Sequence, residues 1–313
     1  MPDATVHSEL PTDTDTTGAP RAVALPTRGL LRLEGPDSLS FLQGITSNDV
    51  TQVSESLAVW SAFLTPQGKF LHEFFVAQAP DGAIWLDCEA ERREHLKKRL
   101  AIYKLRAKAE VALDDELAVY ALLGERALGL LDLPALEGYA RPLGDGVAFA
   151  EPRLAQLGAR AILPRATAEA TLRQAGFALG AFEEFDRLRL GLGVPDGSRD
   201  LEPEKATLME SGFDELHGIS WDKGCFLGQE LTARMKYRGL AKKRLVPVQI
   251  DGPTPEPGTE VRRGGKVAGT LRSATAGVGL ALLKLDALDA GGEAPFEAGA
   301  ARLTPRKPDW AGF

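Results

Sequence analysis

Cysteine is nearly absent: only Cys88 and Cys225 occur in 313 residues, and neither belongs to a CxxC pair. A disulfide framework and a structural zinc site are thereby excluded, and a reducing compartment fits best. The four histidines, His7, His72, His95 and His217, stand at spacings that match no metal motif. No apolar run approaches the ~18 residues needed to cross a bilayer, and the first residues lack the basic-then-apolar order of a secretory signal. Positive charge is also short, with 37 Lys and Arg against 44 Asp and Glu. The resulting net charge of −7 argues against bulk attraction to DNA or to a membrane surface. What is present, 44% hydrophobic and 26% charged residues, is the balance of a globular protein. The length suits two or three packed units.

Residues 1 to about 26 are rich in Thr, Asp, Pro and Ala and nearly free of large apolar side chains, so they read as a disordered tail. The tail carries Asp3, Glu9, Asp13 and Asp15 against one Arg, whereas an organelle transit peptide is Arg-rich and poor in acids. A cytoplasmic location in a bacterial cell is therefore expected, and a mitochondrial matrix one is not. Mixed α and β patterning begins at Gly29. LLRLEG reads as a strand and PDSLSFLQG as a helix opened by Pro36 and Asp37. Val59–Leu64 and Phe70–Ala77 read as a hairpin turning at Pro66, Gln67 and Gly68. A strand at AIWLDC leads into the helix EAERREHLKKRL, and Lys104, Arg106 and Lys108 extend its basic end. That stretch is either a solvated face or a docking surface for RNA, a polyanionic cofactor tail or an acidic partner. A second unit of β and α alternation runs through ATAEATLRQAG and FEEFDRLRLGLG. After Arg244 the helical period gives way to short segments punctuated by Gly and Pro, which read as an antiparallel barrel or sandwich. The expected division is a tail at 1–26, an α/β region at 27–240 and a barrel at 241–313.

The segment GISWDKGCFLGQELTARMKYRG, residues 218–239, carries the most chemical information. Gly224 and Gly228 bracket Cys225, as expected where backbone turns sharply or approaches a ligand. Good helix formers start at Gln229 and Glu230, so the thiol sits at a loop-to-helix junction two residues from Lys223. A helix start and a nearby cation both favour thiolate, which makes Cys225 a candidate nucleophile or soft-metal ligand. Cys88, on an apolar strand, reads as a packed core residue. Arg234, Lys236, Arg238, Lys242, Lys243 and Arg244 follow without an intervening acid and form a local cationic surface suited to a carboxylate or phosphate.

KGCFLGQE, Lys223 to Glu230, resembles the hallmark of the YgfZ family of folate-binding proteins, relatives of the glycine-cleavage T-protein. FLQGITSNDV, TPQGKFLHEF, RLAIYKLRAK, VPDGSRDLEPEKATLMESGFDELHGISW and LTARMKYRGLAKKRLVPV fit the same family, so the resemblance runs from about Gly29 to the end. The RDL and GQELTAR wording is most similar to the branch that includes the iron–sulfur assembly factor Iba57. The resemblance implies an α+β, aminomethyltransferase-like three-part ring: two interwoven, ferredoxin-like split α/β subdomains and a C-terminal antiparallel β-barrel, around a cleft that admits tetrahydrofolate. It further implies help in assembling or repairing 4Fe-4S clusters in client enzymes, tRNA-methylthiolating ones included, with A-type iron–sulfur carriers as partners and direct tRNA contact left open.

By the same resemblance, Cys225 is the functional thiol with Lys223 beside it, and Cys225 is a transient ligand of a 4Fe-4S or 2Fe-2S cluster. Gly224, Gly228, Gln229, Glu230 and Arg234 are implied to shape its loop and the cofactor site, with Ser47, Asn48 and Asp49 on the cleft side. One thiol cannot satisfy a 4Fe-4S cluster, which takes about four thiolates, so partners must supply the rest. Three positions depart from the T-protein pattern: His72 and Glu73 replace its paired Asp residues, and Gly191 replaces its folate-gripping Glu. A folate-dependent one-carbon transferase remains as an alternative, with Glu73 or His72 as acid or base, and a non-catalytic folate-sensing scaffold as another.

Overall fold

The computed structural model describes residues 19–290 and 294–313. Strand β1 (Arg21–Ala24) comes first, followed by β2 (Arg28–Glu34), helix α1 (Ser38–Gln43), β3 (Val59–Leu64), β4 (Phe70–Gln78), β5 (Ile84–Glu89), α2 (Arg93–Lys104) and β6 (Glu110–Asp114). The chain continues through β7 (Leu117–Leu123), α3 (Ala127–Leu130), β8 (Ala140–Leu143), β9 (Gly146–Ala150), β10 (Ala159–Pro164), α4 (Ala168–Gln174), β11 (Ala178–Gly180), α5 (Phe182–Leu192), α6 (Gly197–Asp200) and α7 (Gln229–Arg238). The last part contains β12 (Lys243–Asp251), β13 (Glu260–Arg263), β14 (Lys266–Thr275), β15 (Val278–Lys284), α8 (Leu285–Asp289), β16 (Phe296–Ala298) and β17 (Ala301–Pro305).

Two sheets and a barrel result. The first sheet is antiparallel with the order β3-β4-β5-β2-β6, and the second has the order β11-β1-β7-β10-β9-β8, with β1 parallel to β11. The chain enters the second sheet with β1, builds the whole first sheet, and returns to the second, which interweaves the two units. Alternation along the strands sorts side chains between layers. Leu30, Phe75 and Trp85 of the first sheet meet Val119, Phe149 and Ile162 of the second in one shared core. Leu31, Phe74 and Leu86 point the other way and are covered by Leu42 of α1 and by Leu96 and Leu100 of α2. The outer face of the second sheet packs on Ala168 and Leu172 of α4.

The tail expected through residue 26 is corrected at its end. Arg21–Ala24 pair with both β7 and β11, and Ala22 and Val23 are buried on opposite faces. The strand is only four residues long and its buried side chains are small, so RAVA carries little apolar signal in the sequence. The rest of that tail, residues 1–18, lies outside the described residues.

Strands β12 to β17 close a six-stranded antiparallel barrel around Val246, Val261, Leu271, Leu283 and Leu303. The short helix α8 interrupts the β pattern expected there. The barrel is tied back by α5: Trp310 Nε1 donates to the Leu192 carbonyl at 2.7 Å, and Arg189 reaches both Asp200 (2.7 Å) and Ser273 (3.3 Å). No described helix is long and apolar enough to cross a membrane.

Candidate functional site

The loop that carries Cys225 is fastened to the segment after α1 and packs on the β3–β4 turn. Ser47 Oγ donates to the Gly218 carbonyl at 2.6 Å, and the Ser220 amide donates to the Ser47 carbonyl at 3.1 Å. The Leu227 amide donates to the Gly44 carbonyl at 3.2 Å. Gly228 adopts φ +78° and lies so close to the β3–β4 turn that a Cβ there would meet the Thr65 carbonyl oxygen at 2.5 Å. Gln229 turns its side-chain oxygen back to accept from the Phe226 amide at 3.1 Å. Between these anchors Phe226 is buried, while Cys225 is exposed and Gly224, at φ +84°, has no atom within 4 Å of its absent Cβ.

Lys223, read from sequence as a cation beside the thiol, directs its ammonium elsewhere. It donates to the carbonyls of Thr46 and Asn48, the latter at 2.7 Å, and lies 5.3 Å from the centre of the Phe226 ring. Burial pushes its pKa down to about 8, with the Asp49 carboxylate acting in the opposite direction. Helix α7 starts four residues beyond Cys225, so the thiol precedes its first turn rather than sitting in it. Two motifs about 175 residues apart, TSND and KGC, are thus one structural unit.

The remaining candidates separate into buried and open positions. Ser47 is fully buried, with its hydroxyl accepting from the Ala62 amide at 2.8 Å. Asp49 accepts from Gln43 at 2.9 Å, from the Thr51 amide at 3.1 Å and from Gln52 at 3.2 Å, and these bonds hold its carboxyl below the usual range against the cost of burial. Asn48 donates to the carbonyls of Trp60 and His217, both at 2.8 Å, and lines a cleft of about 510 Å³ with Trp60, Asp214 and Trp221. Gly224, Gln229, Glu230 and Arg234 line a second cleft of about 520 Å³ along α7, together with Trp221 and Tyr237. Trp221 borders both clefts, its Nε1 donating to Asp214 at 2.7 Å. Sequence reading missed Trp221 and Trp60, since a lone Trp in a loop or strand carries no spacing signal.

A cluster of buried charged side chains lies within the core that the two sheets share. Arg28 binds Asp87 at 2.6 Å and also Glu73, while Arg160 binds Asp87 at 2.8 Å and Glu151 at 3.2 Å. Arg153 binds Glu151 at 2.8 Å, and Asp196 lies 3.7 Å from Arg28. Three guanidinium groups surround the Phe75 ring, that of Arg160 at 3.8 Å from its centre. Burial opposes the Glu151 charge, yet Arg153 and Arg160 hold its carboxyl down at about 2. Burial raises Glu73 despite Arg28 and Arg153, and its second oxygen accepts from Trp60 Nε1 at 2.6 Å. Trp60, stacked on Phe213 at 4.0 Å, stands between the open cleft and this carboxylate.

Neither Glu73 nor His72, which stand where the T-protein pattern has its paired Asp residues, is open to a substrate. Glu73 is 2% exposed, and His72, on the other face of β4, is 1% exposed and bonded to His95 at 2.8 Å. Burial, with Arg92, His95 and Arg99 adding to it, pushes His72 down to about 2. Cys88 is buried on β5, where burial raises its thiol pKa well above the usual value.

Comparison with known proteins agrees with this architecture. The family model for the CAF17 C-terminal beta-barrel domain matches residues 242–313. The glycine cleavage system aminomethyltransferase T from Bartonella henselae superposes with a TM-score of 0.75, covering 94% of this chain and 86% of that one at 17% identity, which shows a shared fold. The mitochondrial iron–sulfur cluster assembly factor IBA57 of Mus musculus is 32% identical over 291 residues, covering 84% of this chain and 77% of the relative. Its Homo sapiens counterpart is 33% identical over 278 residues, covering 83% and 76%. With about a third of the residues identical over more than four fifths of its length, the chain belongs to the IBA57 family of iron–sulfur cluster assembly factors.

Proposed function

We propose that the protein acts in iron–sulfur cluster assembly and that Cys225 is the thiolate it offers to a cluster in transit toward 4Fe-4S client enzymes, tRNA-methylthiolating enzymes among them. The observation that carries this reading is the exposed sulfur on a loop pinned on both sides. A pinned loop presents a ligand without a large ordering cost, and solvent access lets a second protein approach it. Cys88 is sealed in the core, so the remaining thiolates of a cluster come from a partner such as an A-type carrier. The cluster is cargo passed through this site. Anaerobic titration of the purified protein with a cluster-loaded A-type carrier tests the reading. Complex formation should be lost in Cys225→Ser at unchanged melting temperature; equal complex formation by both proteins overturns it.

Tetrahydrofolate does not fit the interior between the sheets, because seven buried charged side chains are packed against one another there as ion pairs. The cleft along α7 suits it better, with Trp221 and Tyr237 for a flat ring and Arg234 and Arg238 for its carboxylates. A bound folate would supply a one-carbon unit, and the sealed Glu73 gives no support to a transfer step here. Quenching of tryptophan fluorescence by tetrahydrofolate, weakened by Arg238→Ala, tests this placement; equal quenching in the variant sinks it.

A further inference from the structure

Helix α2 ends in a cationic patch that the proposed site does not use. Among the described residues, Lys97, Lys98, Lys104, Arg106 and Lys108 form no ion pair, whereas Arg92 and Arg93 at the helix start pair with Glu89 and Asp115. Five unpaired cations in a chain of net charge −7 are a local reversal of sign. Amid them stand two large aliphatic side chains, Ile102 at 59% exposure and Leu105 at 87%. Leu105 closes the helix at φ +45°, a conformation uncommon for a residue with a Cβ.

The patch and the thiol loop both border the layer that covers the outer face of the first sheet. Tyr103 packs edge-on against Phe63 of β3 at 5.6 Å, and both Tyr103 and Leu227 pack on the cluster that covers the outer face of the first sheet. Five strands place the edges of that sheet about 20 Å apart. A standard interface of about 800 Å² per partner is roughly 30 Å across, so one footprint spans both features.

We infer that the C-terminal end of α2 is the docking surface for the acidic protein that brings the remaining cluster thiolates to Cys225. This rests on the proposed function and adds the surface and the charge of the partner. An apolar centre with a charged rim is the anatomy of a protein interface. Nucleic acid would leave Ile102 and Leu105 without partners and would find no exposed aromatic ring on α2 to stack on. A membrane would gain only two side chains of apolar anchorage, less than the single acyl chain that binds marginally.

The test measures association of a cluster-loaded A-type carrier with the full chain for wild type, Lys98→Glu/Arg106→Glu/Lys108→Glu, Leu105→Ser and Cys225→Ser. Charge reversal should slow association at least ~10-fold at ~50 mM salt and much less at ~0.5 M, because steering is screened. Leu105→Ser should speed dissociation with little change in association. Wild-type rates in both surface variants, while Cys225→Ser still loses the complex, overturn the docking surface and leave the proposed function standing. Loss of association on charge reversal, with Cys225→Ser unaffected, supports the surface and removes the cluster role of the thiol. Vesicles containing phosphatidylglycerol and bulk tRNA serve as competing probes. Binding of either that charge reversal abolishes, with the carrier unaffected, also overturns the inference.

Discussion

Acidification should destabilise the protein through His72 before any carboxylate is involved. The imidazole is 1% exposed and held down to about 2 by burial, with the Arg92, His95 and Arg99 side chains adding to the effect, so it remains neutral in the folded state. In the unfolded chain it titrates near 6.5. Below that value the unfolded state binds a proton that the folded state refuses. The contribution is therefore complete above pH 6.5 and is lost as the pH falls toward the folded value. Between pH 7.5 and 5.0 the loss is about 2 kcal/mol, from 1.36 kcal/mol for each unit below the unfolded pKa. His95 acts in the same direction but is largely exposed, which weakens its share. Glu73 acts in the opposite direction, because a raised carboxyl binds its proton more tightly in the folded state. Urea unfolding of wild type and His72→Gln at four pH values separates these terms, since Glu73 is common to both proteins. The wild-type advantage over the variant should shrink by about 2 kcal/mol over that range. Parallel curves would mean that His72 takes up a proton in the native state. That would refute its sealing and restore it as a candidate acid for a transferase.

Three further outcomes follow from the site. Gly224→Ala should cost about 1–2 kcal/mol for its left-handed backbone alone, whereas Gly228→Ala adds a clash with the Thr65 carbonyl worth about 1–3 kcal/mol more; thermal melts compare them directly. Lys223→Met removes the donor shared by the Thr46 and Asn48 carbonyls, so amide exchange at residues 46–49 should speed up and the Cys225 thiol should react faster with a disulfide reagent. Asp87→Asn takes a charge from both Arg28 and Arg160 and should cost about 3–5 kcal/mol in urea unfolding.

The thiol loop was legible in sequence because its constraints are local. Glycine at 224 and 228 marks two left-handed turns, and the run from Gln229 to Arg238 is a helix by composition alone. The same is true of the β3–β4 hairpin, whose turn chemistry sits in four consecutive residues. The partner of the loop was not legible in the residue pattern. Lys223 looks like a cation for the nearest sulfur until the chain brings Thr46 and Asn48 against it.

The interior illustrates the same limit with a larger consequence. Arg28 lies in RGLLRLE and Asp87 in IWLDC, and each reads as a polar residue at a strand edge or on a solvated face. Each instead points inward, because alternation places it on the face that Leu30 and Trp85 share. A charge can be stable there only beside a counter-charge: Glu73 and Asp87 meet Arg28 within the first sheet, whereas Arg160 of β10 and Glu151 just past β9 come from far along the chain. Sequence gives the parity of each residue but not which parities meet. The network therefore emerges only when both sheets are assembled, and with it the reason that a scaffold shared with an aminomethyltransferase has no open channel at its Glu73. Arg28, Asp87, Arg160 and Glu151 pair with one another on that face, and Glu73 stays sealed among them.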